Sequence, residues 1–174
     1  YDEIDGRYHS RGVMGPDEFH EQLPGSDRHG LDDNAYTNVL IVWLMMKALQ
    51  LRNDLPDEHR RRLERSLDIS GEEYARWEEV SRKMNLIVND DGIVSRFKGY
   101  FDLEELDWEG YRAEYGNIHR LDRILKAEGR SPDAYKVAKQ ADVLMMFYLL
   151  PLDEIQEVFE RLGYRMDKNI LRRN

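Results

Sequence analysis

Residues 12–21 read GVMGPDEFHE, placing three carboxylates and an imidazole on a backbone that holds two glycines and a proline. These are the side chains that most often transfer protons in active sites. Gly15 and Pro16 restrict the approach to Asp17 and Glu18 to a loop or turn, where a carboxylate can be aimed at a ligand. The run fits an active-site loop. A solvated acidic loop has the same composition, and residue types alone leave both open. A second group is Lys139, Gln140 and Asp142, just ahead of the apolar run at 143–150. Apolar residues on every face of that run imply burial on all sides, and polar groups entering a buried helix need partners. Sugar hydroxyls could supply them, through charge-assisted bonds from the ammonium and paired bonds from the amide. The alternative is the solvated start of a helix.

The elements that must position these groups read as helices. Asp32, Asp33 and Asn34 can cap a helix whose apolar positions Tyr36, Val39, Leu40, Trp43 and Met46 recur at helical spacing. After Leu55 and Pro56 comes a short charged helix over 57–67. Ser70 with Glu73 forms a capping box for a third, ending near Val88. Residues 89–92 make a turn, and 93–103 an irregular or briefly extended connection. A fourth helix over 118–128 stops at Gly129. Ser131 and Pro132 open a fifth, carrying Lys139 and Gln140 and closed by Pro151; Asp153 caps a sixth, ended by Gly163. Six helices with almost no strand pattern predict an all-α fold.

Composition narrows the chemistry. The 174 residues suffice for one domain with a real core, or part of a larger one. A net charge of -9 argues against nucleic acid and anionic membrane as partners. No cysteine is present, which excludes a disulfide framework or thiolate zinc site and fits a cytoplasmic location. The longest apolar stretch, 39–51, is too short for a membrane span. Asp17, Glu18, His20, Glu21 and His29 lack HExxH or paired-histidine spacing, so no metal is expected. The tryptophan stripes read as core, and Arg60, Arg61 and Arg62 as a solvated helix face. The chain opens within loop-like sequence and stops without a composed ending, as an excised piece would.

Two separated segments resemble one family. GVMGPDEFHE followed by LDDNAYTNVLIVW, and later RLDRILKAEGRSPDAYKVAKQADVLMMFYLL, are similar to the catalytic domain of glycoside hydrolase family 65, which holds maltose, trehalose and kojibiose phosphorylases with some acid trehalases. The likeness spans nearly the whole chain and is thinnest at 52–69. It implies an (α/α)6 barrel of twelve helices, with residues 1–174 a fragment amounting to about half of that single domain. It also implies Glu18 as general acid, and Lys139 and Gln140 as ligands of the glucosyl unit. The family's tryptophan and aspartate pair for the same sugar lies upstream of this chain, and its serine-rich phosphate loop downstream.

The implied reaction is inverting phosphorolysis of an α-glucosidic disaccharide to β-glucose 1-phosphate and glucose. Inorganic phosphate is the co-substrate and no cofactor is needed. Phosphate is already an anion, so no second carboxylate has to act as base, unlike inverting hydrolysis. Glu18 must then carry a proton near neutrality, which predicts a pKa raised by partial burial or by Asp17 or Glu21. The alternatives are a trehalase-type hydrolase, in which water replaces phosphate, and a noncatalytic helical module that binds carbohydrate or protein. The isolated piece is expected to be inactive and to form a homo-oligomer through its exposed apolar faces.

Overall fold

The computed structural model describes residues 1–174, and it is built from helices: α1 (Ala35–Asp54), α2 (Asp57–Leu67), α3 (Gly71–Lys83), α4 (Trp108–Tyr115), α5 (Leu121–Ala127), α6 (Asp142–Leu149), α7 (Leu152–Arg161) and α8 (Lys168–Arg173), with 3-10 turns at Tyr100–Asp102 and Pro132–Ala134. Extended backbone meets only as isolated bridges. No helix is long and apolar enough to cross a membrane.

The caps behave as their chemistry dictates. Asn34 accepts from the Thr37 amide to open α1, and Ser70 accepts from the Glu73 amide to open α3. The central helix α1 packs against α3, α6 and α7. Val39 and Val42 from α1, Val80 from α3, Met146 from α6 and Ile155 and Phe159 from α7 form the main core. A second, smaller core gathers Phe19, Tyr111 of α4, Leu125 of α5, Tyr135 and Val137. Residues 138–142 run between the two, because Val137 is buried in one and Val143 in the other.

Eight helices stand where six were expected, some opened by local caps and others cut short by tertiary contacts. Helix α3 ends at Lys83 and not near Val88. Tyr8 takes over the ladder there, donating its amide to the Lys83 carbonyl and accepting from Asn85, and the following segment pairs Val88 with Val94. Helix α4 was not expected; Asp107 caps it through the Gly110 amide. Nor was α8, which Asp167 caps through the amides of Asn169 and Ile170. Helix α7 starts at Leu152 with Pro151, not Asp153, at its cap position. The predicted fifth helix is the largest departure. Only the 3-10 turn at Pro132–Ala134 and α6 are helical, and Lys139 and Gln140 lie in irregular backbone between them. The amides of Lys139 and Gln140 both donate to the Asp17 carboxylate, and the Lys136 amide donates to the Glu104 carbonyl, so these donors are taken from any helical ladder. Helix α6 is also not buried all round, since Leu144, Leu149 and Tyr148, which is 88% exposed, face outward.

Candidate active site

The acidic loop is closed at its base by a reciprocal backbone pair between Val13 and Leu31. Gly30 sits beside it with φ 85°, and a Cβ there would meet the Gly12 backbone at 2.4 Å, so only glycine lets the two loop ends pass. Two neighbouring acids inside the loop have opposite environments. Asp17 is buried, whereas the Glu18 side chain is 61% exposed.

Asp17 organises the site from below. One carboxylate oxygen accepts from the backbone amides of Lys139 (2.8 Å) and Gln140 (3.1 Å). The other meets His20 Nδ1 at 3.0 Å and Arg96 Nη2 at 2.8 Å. Burial works to raise the Asp17 pKa, but the His20 hydrogen bond, the Arg96 charge and the Gln140 amide outweigh it, and the carboxyl is held well below the usual carboxylate range. His20, also buried, turns its other ring nitrogen to the Tyr135 carbonyl at 3.0 Å.

Arg96 ties the elements together. It is buried, donates from Nε to Asp142 at 2.7 Å, and reaches the carbonyls of Val137 (2.7 Å) and Gln140 (3.2 Å). Asp142 opens α6 and also accepts from Asn34 Nδ2 at 3.1 Å. One guanidinium thus links the acidic loop, the 137–140 segment and the start of α6, and Asn34 extends the network to the start of α1.

Held this way, the 139–140 segment presents its side chains to Glu18. Lys139 Nζ donates to Glu18 Oε2, Gln140 Nε2 donates to Glu18 Oε1 at 2.6 Å, and the Glu18 amide donates back to Gln140 Oε1 at 3.0 Å. The three residues singled out from the sequence therefore meet, across more than a hundred residues of chain. The expected protonation is corrected by the geometry. The hydrogen bond from Lys139, then that from Gln140, lower the Glu18 pKa where a raised one was expected, because the group is open to water and its nearest polar partners are donors, not Asp17 or Glu21.

Beside Lys139 a groove of about 690 Å³ opens along α4 and the turn into α5. Phe19, Trp108 and Ile118 form apolar wall, and Arg112 and His119 join Lys139 as its basic lining. No group of three or more His, Asp or Glu side chains is arranged to hold a metal. Arg96 and the groove were not singled out from the sequence. Arg96 did carry a signal: a lone charge between Val94 and Phe97 in an apolar stretch has to be partnered if the stretch is buried.

The profile of the glycosyl hydrolase family 65 central catalytic domain matches residues 1–174, the full chain. The chain belongs to glycosyl hydrolase family 65. An uncharacterized glycosyl hydrolase of Mycobacterium tuberculosis is 50% identical over 164 residues, 94% of this chain and 12% of that protein. Trehalose 6-phosphate phosphorylase of Lactococcus lactis is 41% identical over 98% of this chain and 20% of its own length. A kojibiose phosphorylase of Halothermothrix orenii is 32% identical over 89% of this chain and 19% of its own length. The chain thus spans a fifth or less of these family 65 relatives. Its fold is similar to that of a solved structure described as a kojibiose phosphorylase from the human microbiome, with a TM-score of 0.62, 20% identity, and coverage of 95% of this chain and 22% of that one.

Proposed function

We propose that the protein cleaves an α-glucosidic disaccharide of maltose, trehalose or kojibiose type by inverting phosphorolysis, yielding β-glucose 1-phosphate and the released sugar. Residues 1–174 contribute the general acid and part of the glucosyl site to a larger (α/α)6 domain. One observation carries the reading: the Glu18 carboxylate is shared by the Lys139 ammonium and the Gln140 amide, all three on backbone anchored to buried Asp17.

Lys139 and Gln140 hold Glu18 ionised until sugar hydroxyls compete for their donors. Once the glucosyl unit takes those donors, the groups that depress the Glu18 pKa are withdrawn. A carboxyl partly desolvated by the sugar then binds a proton more readily. It gives that proton to the glycosidic oxygen as phosphate attacks the anomeric carbon from the opposite face. Phosphate supplies the nucleophile, and the step needs no further cofactor.

The test is Glu18→Gln in the full-length protein, which keeps the shape of the side chain and one acceptor oxygen for Lys139 or Gln140 but cannot give up a proton. Release of β-glucose 1-phosphate should fall ~10²–10⁴-fold, the usual contribution of a positioned acid, while disaccharide binding persists. Near-normal release removes Glu18 from the role. Glucose release that ignores added phosphate identifies a trehalase-type hydrolase instead.

A further inference from the structure

The groove beside Lys139 is lined by basic and uncharged side chains in a molecule that is acidic overall. The chain carries a net charge of -9, yet this groove is lined by Arg112, His119 and Lys139 with no carboxylate among its lining residues. We propose that the groove is an anion subsite that binds a phosphate ester carried by the sugar joined to the glucosyl unit. The proposal rests on the phosphorylase reading and names its substrate class: a disaccharide phosphate, not a neutral disaccharide.

Four observations carry it. Arg112 makes no ion pair, although most arginines near the site do: Arg96 is held by Asp17 and Asp142, Arg120 by Asp122, and Arg130 by Glu128. Its guanidinium lies 5.8 Å from the centre of the Trp108 ring, which orients a planar donor fork suited to two phosphate oxygens. His119, on the turn after Gly116, adds an imidazole N–H, and the Asn117 carboxamide beside it adds two more donors. Lastly, the groove is continuous with Lys139, whose ammonium contacts Glu18, so a sugar whose glycosidic oxygen lies at Glu18 can extend into it. Phe19, Trp108 and Ile118 offer apolar surface for the face of that sugar. Of the acids around it, Glu18 is engaged by Lys139, and Asp107 and Glu109 line an adjoining depression that shares Trp108 and Arg112, with Asp107 occupied as the cap of α4.

The shared chemistry is a phosphate dianion, which could belong to the substrate or be the inorganic phosphate that attacks. Inversion requires the attacking phosphate to approach from the face opposite Glu18. The groove instead adjoins Lys139, on the side that contacts Glu18, which favours an ester that stays intact and serves only for binding.

The experiment runs the full-length protein in the synthetic direction, with β-glucose 1-phosphate as donor, either glucose or glucose 6-phosphate as acceptor, and release of inorganic phosphate as readout. Glucose 6-phosphate should be the better acceptor. Arg112→Gln and His119→Ala, both at exposed positions, should each lower kcat/KM for glucose 6-phosphate by ~10–100-fold, the loss expected for one charge-assisted hydrogen bond, with KM for β-glucose 1-phosphate unchanged. Glucose serving equally well overturns the proposal. So does a rise confined to the KM for β-glucose 1-phosphate, which assigns the groove to the reacting phosphate. If neither acceptor releases phosphate, the phosphorylase reading fails separately, and calorimetric titration still decides the subsite. Binding of glucose 6-phosphate that is tighter than that of glucose or inorganic phosphate, and lost in Arg112→Gln, upholds it; equal binding of all three ends it.

Discussion

Replacing Arg96 by methionine tests whether the buried network, rather than local helix propensity, holds the site together. Methionine keeps an unbranched apolar stem but removes the cation and four contacts: 2.8 Å to Asp17, 2.7 Å to Asp142, and bonds to the Val137 and Gln140 carbonyls. Removing one partner of a buried ion pair costs about 3–5 kcal/mol, because the remaining charge stays buried without compensation. The lower end applies here, since Asp17 keeps His20 and two backbone amides, and Asp142 keeps Asn34 and the Val143 amide. About 3 kcal/mol corresponds to a melting temperature lowered by about 6–12 °C in a domain of this size. Circular dichroism melts at pH 7 and at acid pH are the assay. The native Asp17 pKa is depressed, so its contribution to stability is present above about pH 4 and is lost as the pH falls through the native value. The variant has less of that contribution to lose, so the gap between the proteins should be widest near neutrality and narrow on acidification. A variant within about 1 kcal/mol of wild type at pH 7, about the size of an ordinary point-mutant effect, or a gap that widens on acidification, would refute the reasoning.

Three further outcomes are expected. Lys139→Met should let the Glu18 pKa rise toward that of an ordinary glutamate, because its strongest hydrogen-bond donor is gone; a carboxyl ¹³C titration that does not move contradicts the contact. His9 lies 2.7 Å from Asp33 and 2.9 Å from Asp5, and although burial disfavours its charged form, these acids outweigh it and raise its pKa. The stability His9 contributes is therefore full below about pH 6.5 and lost as pH rises through the higher native value; Asp33→Asn should bring the imidazole titration down, and an unshifted ring signal would count against the assignment. Finally, α1 and α6 expose Leu44, Leu51, Leu144, Tyr148 and Leu149. The isolated 174-residue chain should self-associate over that surface and release no β-glucose 1-phosphate, whereas a monodisperse monomer in light scattering would count against the half-barrel picture.

The sequence was most legible where a structural decision is local. Asn34 and the Ser70–Glu73 pattern marked two helix starts because a cap needs only a side-chain oxygen and an amide three residues on. Pro56 bounded α2 through its ring-fixed φ, without a side-chain cap. The residues that meet at Glu18 could also be named, through motif likeness: Glu18, Lys139 and Gln140 stand together. Their backbone and charge state could not. A helical pattern from Ser131 onward took no account of a carboxylate more than a hundred residues away that claims the amides of Lys139 and Gln140. Likewise, the protonation of Glu18 depends on which groups the fold brings to it, and those are donors. Local spacing determined which residues start helices and which could carry the chemistry. Only the tertiary structure decided that Asp17 and Arg96 hold the 137–140 segment out of a helix, because a buried carboxylate and guanidinium must find partners wherever along the chain these lie.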